Sequence, residues 1–244
     1  MPATLFISDL HLSGERPAIN ERFFEFLRTQ ASRAAALYVL GDLFEYWIGD
    51  DELDAAGGDP LARRVAEALG QVSQRGVPVA FMHGNRDFLV GARFCRASGA
   101  RLLEDPSVEK VGGVRTLLMH GDTLCTDDHD YQAWRRTARS REWQREFLAK
   151  TLPERRSALE ALREKSKEVV GAKPAEIMDV NDSAVREALR THGLTRLVHG
   201  HTHRPARHAL EVDGRRCERW VLPDWYGPGG YLEVGDGAPR LVRW

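Results

Sequence analysis

Five short apolar runs in this chain each end in a side chain able to bind a metal ion, and no other feature restricts the fold so tightly. Ala3 to Ile7 leads into Asp9 and His11, and Ala36 to Leu40 into Gly41 and Asp42. Val77 to Met82 leads into Gly84 and Asn85, Val114 to Met119 into His120 and Gly121, and Leu194 to Val198 into Gly200, His201 and His203. Short apolar runs bounded by glycine and acidic residues are buried strands. Ligands of α/β sheets gather outside the carboxyl ends of strands. The pattern therefore predicts an α/β architecture with one site built from five strand ends. In an extended strand end, residues two apart point the same way, so Asp9 and His11 offer a carboxylate and an imidazole to one ion.

Helical spacing of Phe23, Phe24 and Leu27 predicts a helix over Ile19 to Arg28, and Leu61, Val65, Leu69 and Val72 one over Pro60 to Ser73. A short helix is expected near Gly91 to Ser98, and another from Asn181 or Asp182 to Arg190, ended by Gly193. Gly112 and Gly113 separate the strands Ser107 to Val111 and Val114 to Met119 as a hairpin, and turns at Asp213–Gly214 and 235–237 predict an antiparallel C-terminal part. Residues about 126–173 lack strand runs and read as a helical insertion in a single domain spanning 1–244. From Gln132 to Lys173 this segment carries twelve basic residues against six glutamates, with Trp134, Trp143, Phe147, Leu148 and Leu152 among them. One expectation is that its aromatics dock it and its charges are solvated. The other is a lid with an apolar underside and a basic rim, suited to a phosphate-bearing amphiphile.

The net charge of -1 predicts no general affinity for nucleic acid. Cys95, Cys125 and Cys217 are odd in number and far apart, which excludes a disulfide framework and fits a reducing cytosol. No run approaches the ~18 apolar residues of a membrane span and no signal peptide is evident, so membrane contact is expected to be peripheral.

Carboxylate, amide and imidazole donors without thiolate suit Mn²⁺ or Fe²⁺, with Co²⁺ and Zn²⁺ left open. Seven such groups exceed what one ion needs. Two ions bridged by a carboxylate would use them, at ~3.5 to 4 Å apart, to generate a hydroxide and stabilise charge on a phosphoryl group. The order Asp-x-His, Gly-Asp, Gly-Asn, His-Gly, Gly-His-x-His resembles the calcineurin-like metallophosphoesterases. That resemblance implies a four-layer αββα sandwich. It also implies that Asp9, His11 and His203 hold one metal, that Asn85, His120 and His201 hold the other, and that Asp42 bridges them. Asp42, Asn85 and His120 are then the catalytic residues. His199, His83, His129, His192 and His208 are expected to be packing or supporting histidines.

Arg86 follows Asn85 where most of that family place a histidine. An arginine cannot give up a proton at working pH, but it clamps phosphate bidentately and suits a diphosphate whose leaving group needs little protonation. The competing expectation is an ion pair between Arg86 and Asp87. Together with residues 41–51, the insertion, residues 177–181 and His-Gly-His-Thr-His-Arg-Pro, Arg86 gives a resemblance to the branch that hydrolyses UDP-2,3-diacylglucosamine in lipid A synthesis. This implies UMP and a diacylglucosamine 1-phosphate as products, with attack at the uridylyl phosphorus. Asn85, Arg86, Asp128, Tyr131, Ser166, Lys173 and His201 would contact substrate, with Val170 where members often carry Asn. The implied setting is a monomer bound peripherally to the anionic cytoplasmic face of the inner membrane. A general phosphodiesterase or nuclease, which the basic insertion favours, and a binding protein with a decayed site are the alternatives.

Overall fold

The computed structural model describes residues 2–54, 56–171 and 179–244, with side chains described outside 163–171. Two sheets form its centre. The first runs β11-β10-β1-β2-β3-β4, in which β1 (Thr4–Ile7), β2 (Ala36–Leu40), β3 (Val79–Met82) and β4 (Ala100–Leu103) are parallel. β10 (Gly230–Val234) joins antiparallel to β1, and β11 (Arg240–Arg243) pairs with β10. The second sheet runs β5-β6-β7-β9-β8, from β5 (Ser107–Val111), β6 (Val114–Leu118), β7 (Arg196–His199), β8 (Ala206–Val212) and β9 (Arg215–Val221).

Strand periodicity builds the layers. Leu5, Ile7, Leu37, Val39, Val79 and Phe81 face one way, onto α1 (Pro17–Thr29), α2 (Pro60–Gln74) and α3 (Ala92–Ser98). Phe6, Tyr38, Leu40, Ala80 and Met82 face the other way and meet Leu118, Val198, Trp220 and Leu222 of the second sheet. The outer side of that sheet, through Leu117 and Leu197, packs on Val185 and Leu189 of α7 (Asp182–His192). The result is the expected αββα sandwich. Its helices start where local chemistry allows. Pro17 and Pro60 occupy the first helical turn, Asp59 caps the N–H of Leu61 at 2.8 Å, and Asn181 caps Ser183 and Ala184.

Two sequence expectations change. β4 was not foreseen: Ala-Arg-Leu-Leu shows neither alternation nor β-branching, and pairing with β3 makes it an edge strand. The C-terminal part is not wholly antiparallel either. β9 pairs with β8 as a hairpin but lies parallel to β7, a pairing between distant segments that turn residues do not encode.

Residues after β6 form three helices, α4 (His129–Ala138), α5 (Arg141–Leu148) and α6 (Leu152–Gly171). Phe147 is buried in the first core, with Trp143, Leu152 and Leu159 packed against it. Four arginines add polar ties. Arg155 is buried and donates to the carbonyls of Ile48 and Lys150 and to both oxygens of Asp51. Arg156 donates to Glu52, Arg135 to Asp122, and Arg139 to the Gly84 carbonyl. These four charges are therefore not a solvated rim, because residues 51, 52 and 122 and the carbonyl of Gly84 supply acceptors that face them.

Candidate metal centre and its cleft

The strand ends turn sharply before they deliver their ligands. Asp9, His11, Asp42, His201 and His203 have φ between 50° and 68°, and among the described residues the only other non-glycine with positive φ is Asp213. This left-handed backbone costs an L-residue about 1 to 2 kcal/mol, so its concentration here marks a functional site. Asp9 and His11 are thus not aligned by extended-strand alternation. Instead, their loop lies along the loop after β2, where Asp9 N–H donates to Gly41 O and the N–H groups of Leu10 and His11 donate to Asp42 O. The glycines of the motifs make this approach possible: a Cβ on Gly84 would strike the Asp42 backbone and carboxylate, and one on Gly200 would strike Ser8 and Asp9.

Two donor groups result. In the first, Asp9 Oδ1 lies 3.6 Å from His203 Nε2, and His203 Nε2 lies 3.3 Å from His11 Nε2. In the second, Asn85 Oδ1 lies 3.0 Å from His120 Nε2 and 2.9 Å from His201 Nδ1. Asp42 stands between them, Oδ2 3.8 Å from His11 Nε2 and Oδ1 3.8 Å from His120 Nε2.

These donors fit divalent ions. Asp9 Oδ1 is buried without a hydrogen-bond partner, while its Oδ2 accepts from Ser8 Oγ and His201 N–H. His120 donates Nδ1–H to the Leu40 carbonyl at 2.9 Å and turns Nε2 to the Asn85 oxygen; burial opposes its charge, but Asp42, Asp122 and Asp9 raise the ring to about 9, so these acids draw positive charge to that point. The carboxylates of Asp9 and Asp42 are buried side by side and neither has a lysine or arginine side chain bonded to it, so they favour a cation between them, whereas Asp122 is paired with Arg135 and Asp87 accepts three backbone N–H groups.

The electrostatics agree. Burial raises the Asp42 carboxyl to about 7, opposed by His120 and reinforced by Asp87 and Asp9. Burial works against ionisation of Asp9, yet the imidazoles of His203, His120 and His11 hold its carboxyl well below the usual range. Burial, and then the charge of His120, lowers His201 to about 4, so its ring is neutral and able to ligate at neutral pH.

Surrounding groups hold this arrangement. Asp87 is buried and accepts from the N–H groups of Gly84 (2.8 Å), Leu43 (2.8 Å) and Asp42 (3.3 Å), tying the β2 and β3 loops together. It therefore does not serve as a surface partner of Arg86, whose own N–H donates to Asp42 Oδ1 at 2.8 Å and whose side chain lines the cleft. Neither His199 nor His83 belongs to the two donor groups. His199 donates to Gly200 O and accepts from buried Arg219, and His83 donates to Val90 O.

A cleft of about 390 Å³ opens beside the centre. Asn85, Arg86, His201 and His203 line one end, and Trp134, Trp143, Phe147, Leu159 and Leu162 of the insertion line the other. Trp143 and Phe147 stack at 4.8 Å with 10° between planes. Asp128 caps α4 through the N–H of Tyr131 and faces the cleft. The Tyr131 ring also lines the cleft, but its hydroxyl donates to Asp122 at 2.7 Å, a tertiary bond that sequence spacing does not reveal. Ser166, Val170 and Lys173 lie outside the residues whose side chains are described. To Asp87 sequence reading assigned only the ion pair with Arg86, and to Glu45, Asp122 and Tyr226 no role. An aromatic pair inside the Pro- and Gly-rich loop 223–230 was the available signal for the last.

Sequence relatives point the same way. A UDP-2,3-diacylglucosamine hydrolase of Aromatoleum aromaticum is 47% identical over 242 residues, covering 99% of this chain and 97% of its own. Proteins of the same name from Cellvibrio japonicus and Xanthomonas axonopodis pathovar citri are 45% and 50% identical, each covering at least 96% of both chains. The family model for calcineurin-like phosphoesterases matches residues 3–205, which include all seven donors. Five strand ends brought together as two facing donor groups, on a scaffold matched over most of its length, establish that this chain belongs to the calcineurin-like phosphoesterases, a family of metal-dependent hydrolases.

Proposed function

We propose that the chain hydrolyses the pyrophosphate bond of UDP-2,3-diacylglucosamine, forming UMP and 2,3-diacylglucosamine 1-phosphate in lipid A synthesis. The observation that carries this is the shape of the cleft, which runs from the metal-donor groups and Arg86 to an aromatic and aliphatic wall. A charged diphosphate joined to acyl chains matches both ends. The names of relatives at 45–50% identity support the same substrate.

Asp9, His11 and His203 would hold one ion and Asn85, His120 and His201 the other, with Asp42 between them. Mn²⁺ suits this oxygen and nitrogen set. Two such ions, when bound, supply Lewis acidity and lower the pKa of water. The remaining work belongs to side chains. Asn85 and His201 border the reacting phosphate. Arg86 grips it as a fixed cation, and its backbone bond to Asp42 sets its distance from the centre. Water oxygen bonds to the uridylyl phosphorus and its proton passes to solvent as the bridging P–O bond breaks, and the sugar 1-phosphate leaves with that electron pair. The leaving phosphate needs little protonation, so an arginine can stand where related enzymes place an acid. Asp128, Tyr131, Ser166, Lys173 and the Val170 position are further candidate substrate contacts.

Trp134 and Leu148 are exposed on the insertion beside exposed Arg136, Arg141, Arg145 and Lys150, which supports peripheral docking on the anionic cytoplasmic face of the inner membrane. Among the described residues no helix is long and apolar enough to cross a membrane. A nuclease reading loses support, since Arg135, Arg139, Arg155 and Arg156 are engaged on the core. The chain is taken to act as a monomer, which light scattering checks.

Hydrolysis in ¹⁸O water with Mn²⁺ tests the reaction. Label in UMP, lost in Asp42→Ala, is the expected result. Cleavage of simple diesters without turnover of the lipid substrate would overturn the substrate assignment. Flotation with anionic vesicles no better than with neutral ones would overturn the membrane part.

A further inference from the structure

We infer that Tyr226 and Glu45 are positioning residues for the metal ligand His11, forming a brace against its imidazole. Three loops bring the parts together. The isolated bridge Leu12–Phe44, with Glu45 N–H donating to Leu12 O at 3.0 Å, sets Glu45 beside His11. Trp225 is fully buried and donates its N–H to Asp9 O at 3.0 Å, which anchors the loop that carries Tyr226.

The contacts converge on one imidazole. The Tyr226 ring stacks on His11 at 4.8 Å and 16°, and lies 5.4 Å from His203. Its hydroxyl donates to Glu45 Oε2 at 3.3 Å. The same oxygen lies 3.5 Å from Arg16 Nη1 and 3.9 Å from His11 Nδ1, and the Arg16 guanidinium sits 4.1 Å from the Tyr226 ring centre. His11 Nδ1 is buried and has no hydrogen-bond partner. Glu45 is the carboxylate nearest to it, and a shift of about 1 Å brings the pair to hydrogen-bond length. Carboxylates in this position fix the tautomer and orientation of a ligating imidazole, and their loss typically weakens metal binding by about 10- to 100-fold. Tyr226 is 45% exposed, so its ring contributes less to the core than to the two histidines it touches.

The inference rests on His11 being a metal ligand and is independent of which phosphate ester is cleaved. Metal-free protein is titrated with Mn²⁺, free ion being read by electron paramagnetic resonance, for wild type, Tyr226→Ala, Tyr226→Phe and Glu45→Gln. Wild type is expected to bind two ions. Tyr226→Ala and Glu45→Gln should each weaken one site about 10- to 100-fold, with kcat restored by excess Mn²⁺ and KM unchanged. Tyr226→Phe keeps the stack and should fall between them and wild type. Wild-type Mn²⁺ affinity in both Tyr226→Ala and Glu45→Gln would overturn the brace. A raised KM with unchanged affinity in Tyr226→Ala would overturn it too, and assign Tyr226 to substrate. A wild-type protein that binds no Mn²⁺ would overturn the metal centre itself.

Discussion

Replacing Arg155 by methionine should loosen the insertion without removing its apolar contacts. The arginine side chain is 4% exposed and makes four donor contacts, two to main-chain carbonyls and two to Asp51, 104 residues away. Methionine retains most of the stem volume but leaves the Ile48 carbonyl without its donor, worth about 1 to 3 kcal/mol. The pair with Asp51 contributes less than a fully buried one, because that carboxylate is 39% exposed and water screens it, so about 1 kcal/mol is assigned to it. The sum is about 2 to 4 kcal/mol. Hydrogen exchange of amides in residues 152–162 reads this locally, and the loss corresponds to roughly 30- to 700-fold faster exchange. Arg156→Met is the control: it sits on the same helix, but its guanidinium is 42% exposed, so water screens its pair with Glu52 and can replace it, and the loss should be about 1 kcal/mol. Equal exchange in Arg155→Met and wild type would refute the claim that this buried fork fastens the insertion to the core.

Other outcomes follow from the same contacts. Asp87→Ala strips three backbone N–H groups of their acceptor and should destabilise the protein by about 3 to 5 kcal/mol, read by urea unfolding. Gly84→Ala pushes a methyl group into Asp42, and kcat should fall about 100-fold with the secondary structure intact by circular dichroism. Burial and then Arg219 lower His199 to about 3 in the folded state, against 6.5 for the free group, so protons bind the unfolded chain more tightly. Its contribution is therefore flat above the unfolded value and turns destabilising as pH falls toward 3, by about 2 kcal/mol at pH 5. In metal-free protein His199→Gln should reduce the loss of stability between pH 8 and pH 5 by that amount, and an unchanged loss would refute it. Chelation should abolish turnover, with Mn²⁺ restoring it in wild type but not in Asp42→Ala.

The sequence alone determined the layers and the donor atoms of this protein. The unbroken apolar runs of β1, β2 and β3, buried on both faces, are local, and so is the identity of a carboxylate or imidazole at a strand end, so both were legible residue by residue. It could not show how those ends turn. The left-handed backbone at Asp9, His11 and Asp42 exists because neighbouring loops hydrogen-bond across the site and Gly84 and Gly200 leave room for the approach. Only the tertiary structure could join Tyr226 to Glu45 across 181 positions, or Arg155 to Asp51 across 104. It also withdrew four arginines from a charge run that sequence alone could place on a solvated face. Such pairings depend on where two distant segments meet in space, and that is decided by packing of the whole chain rather than by either segment's composition.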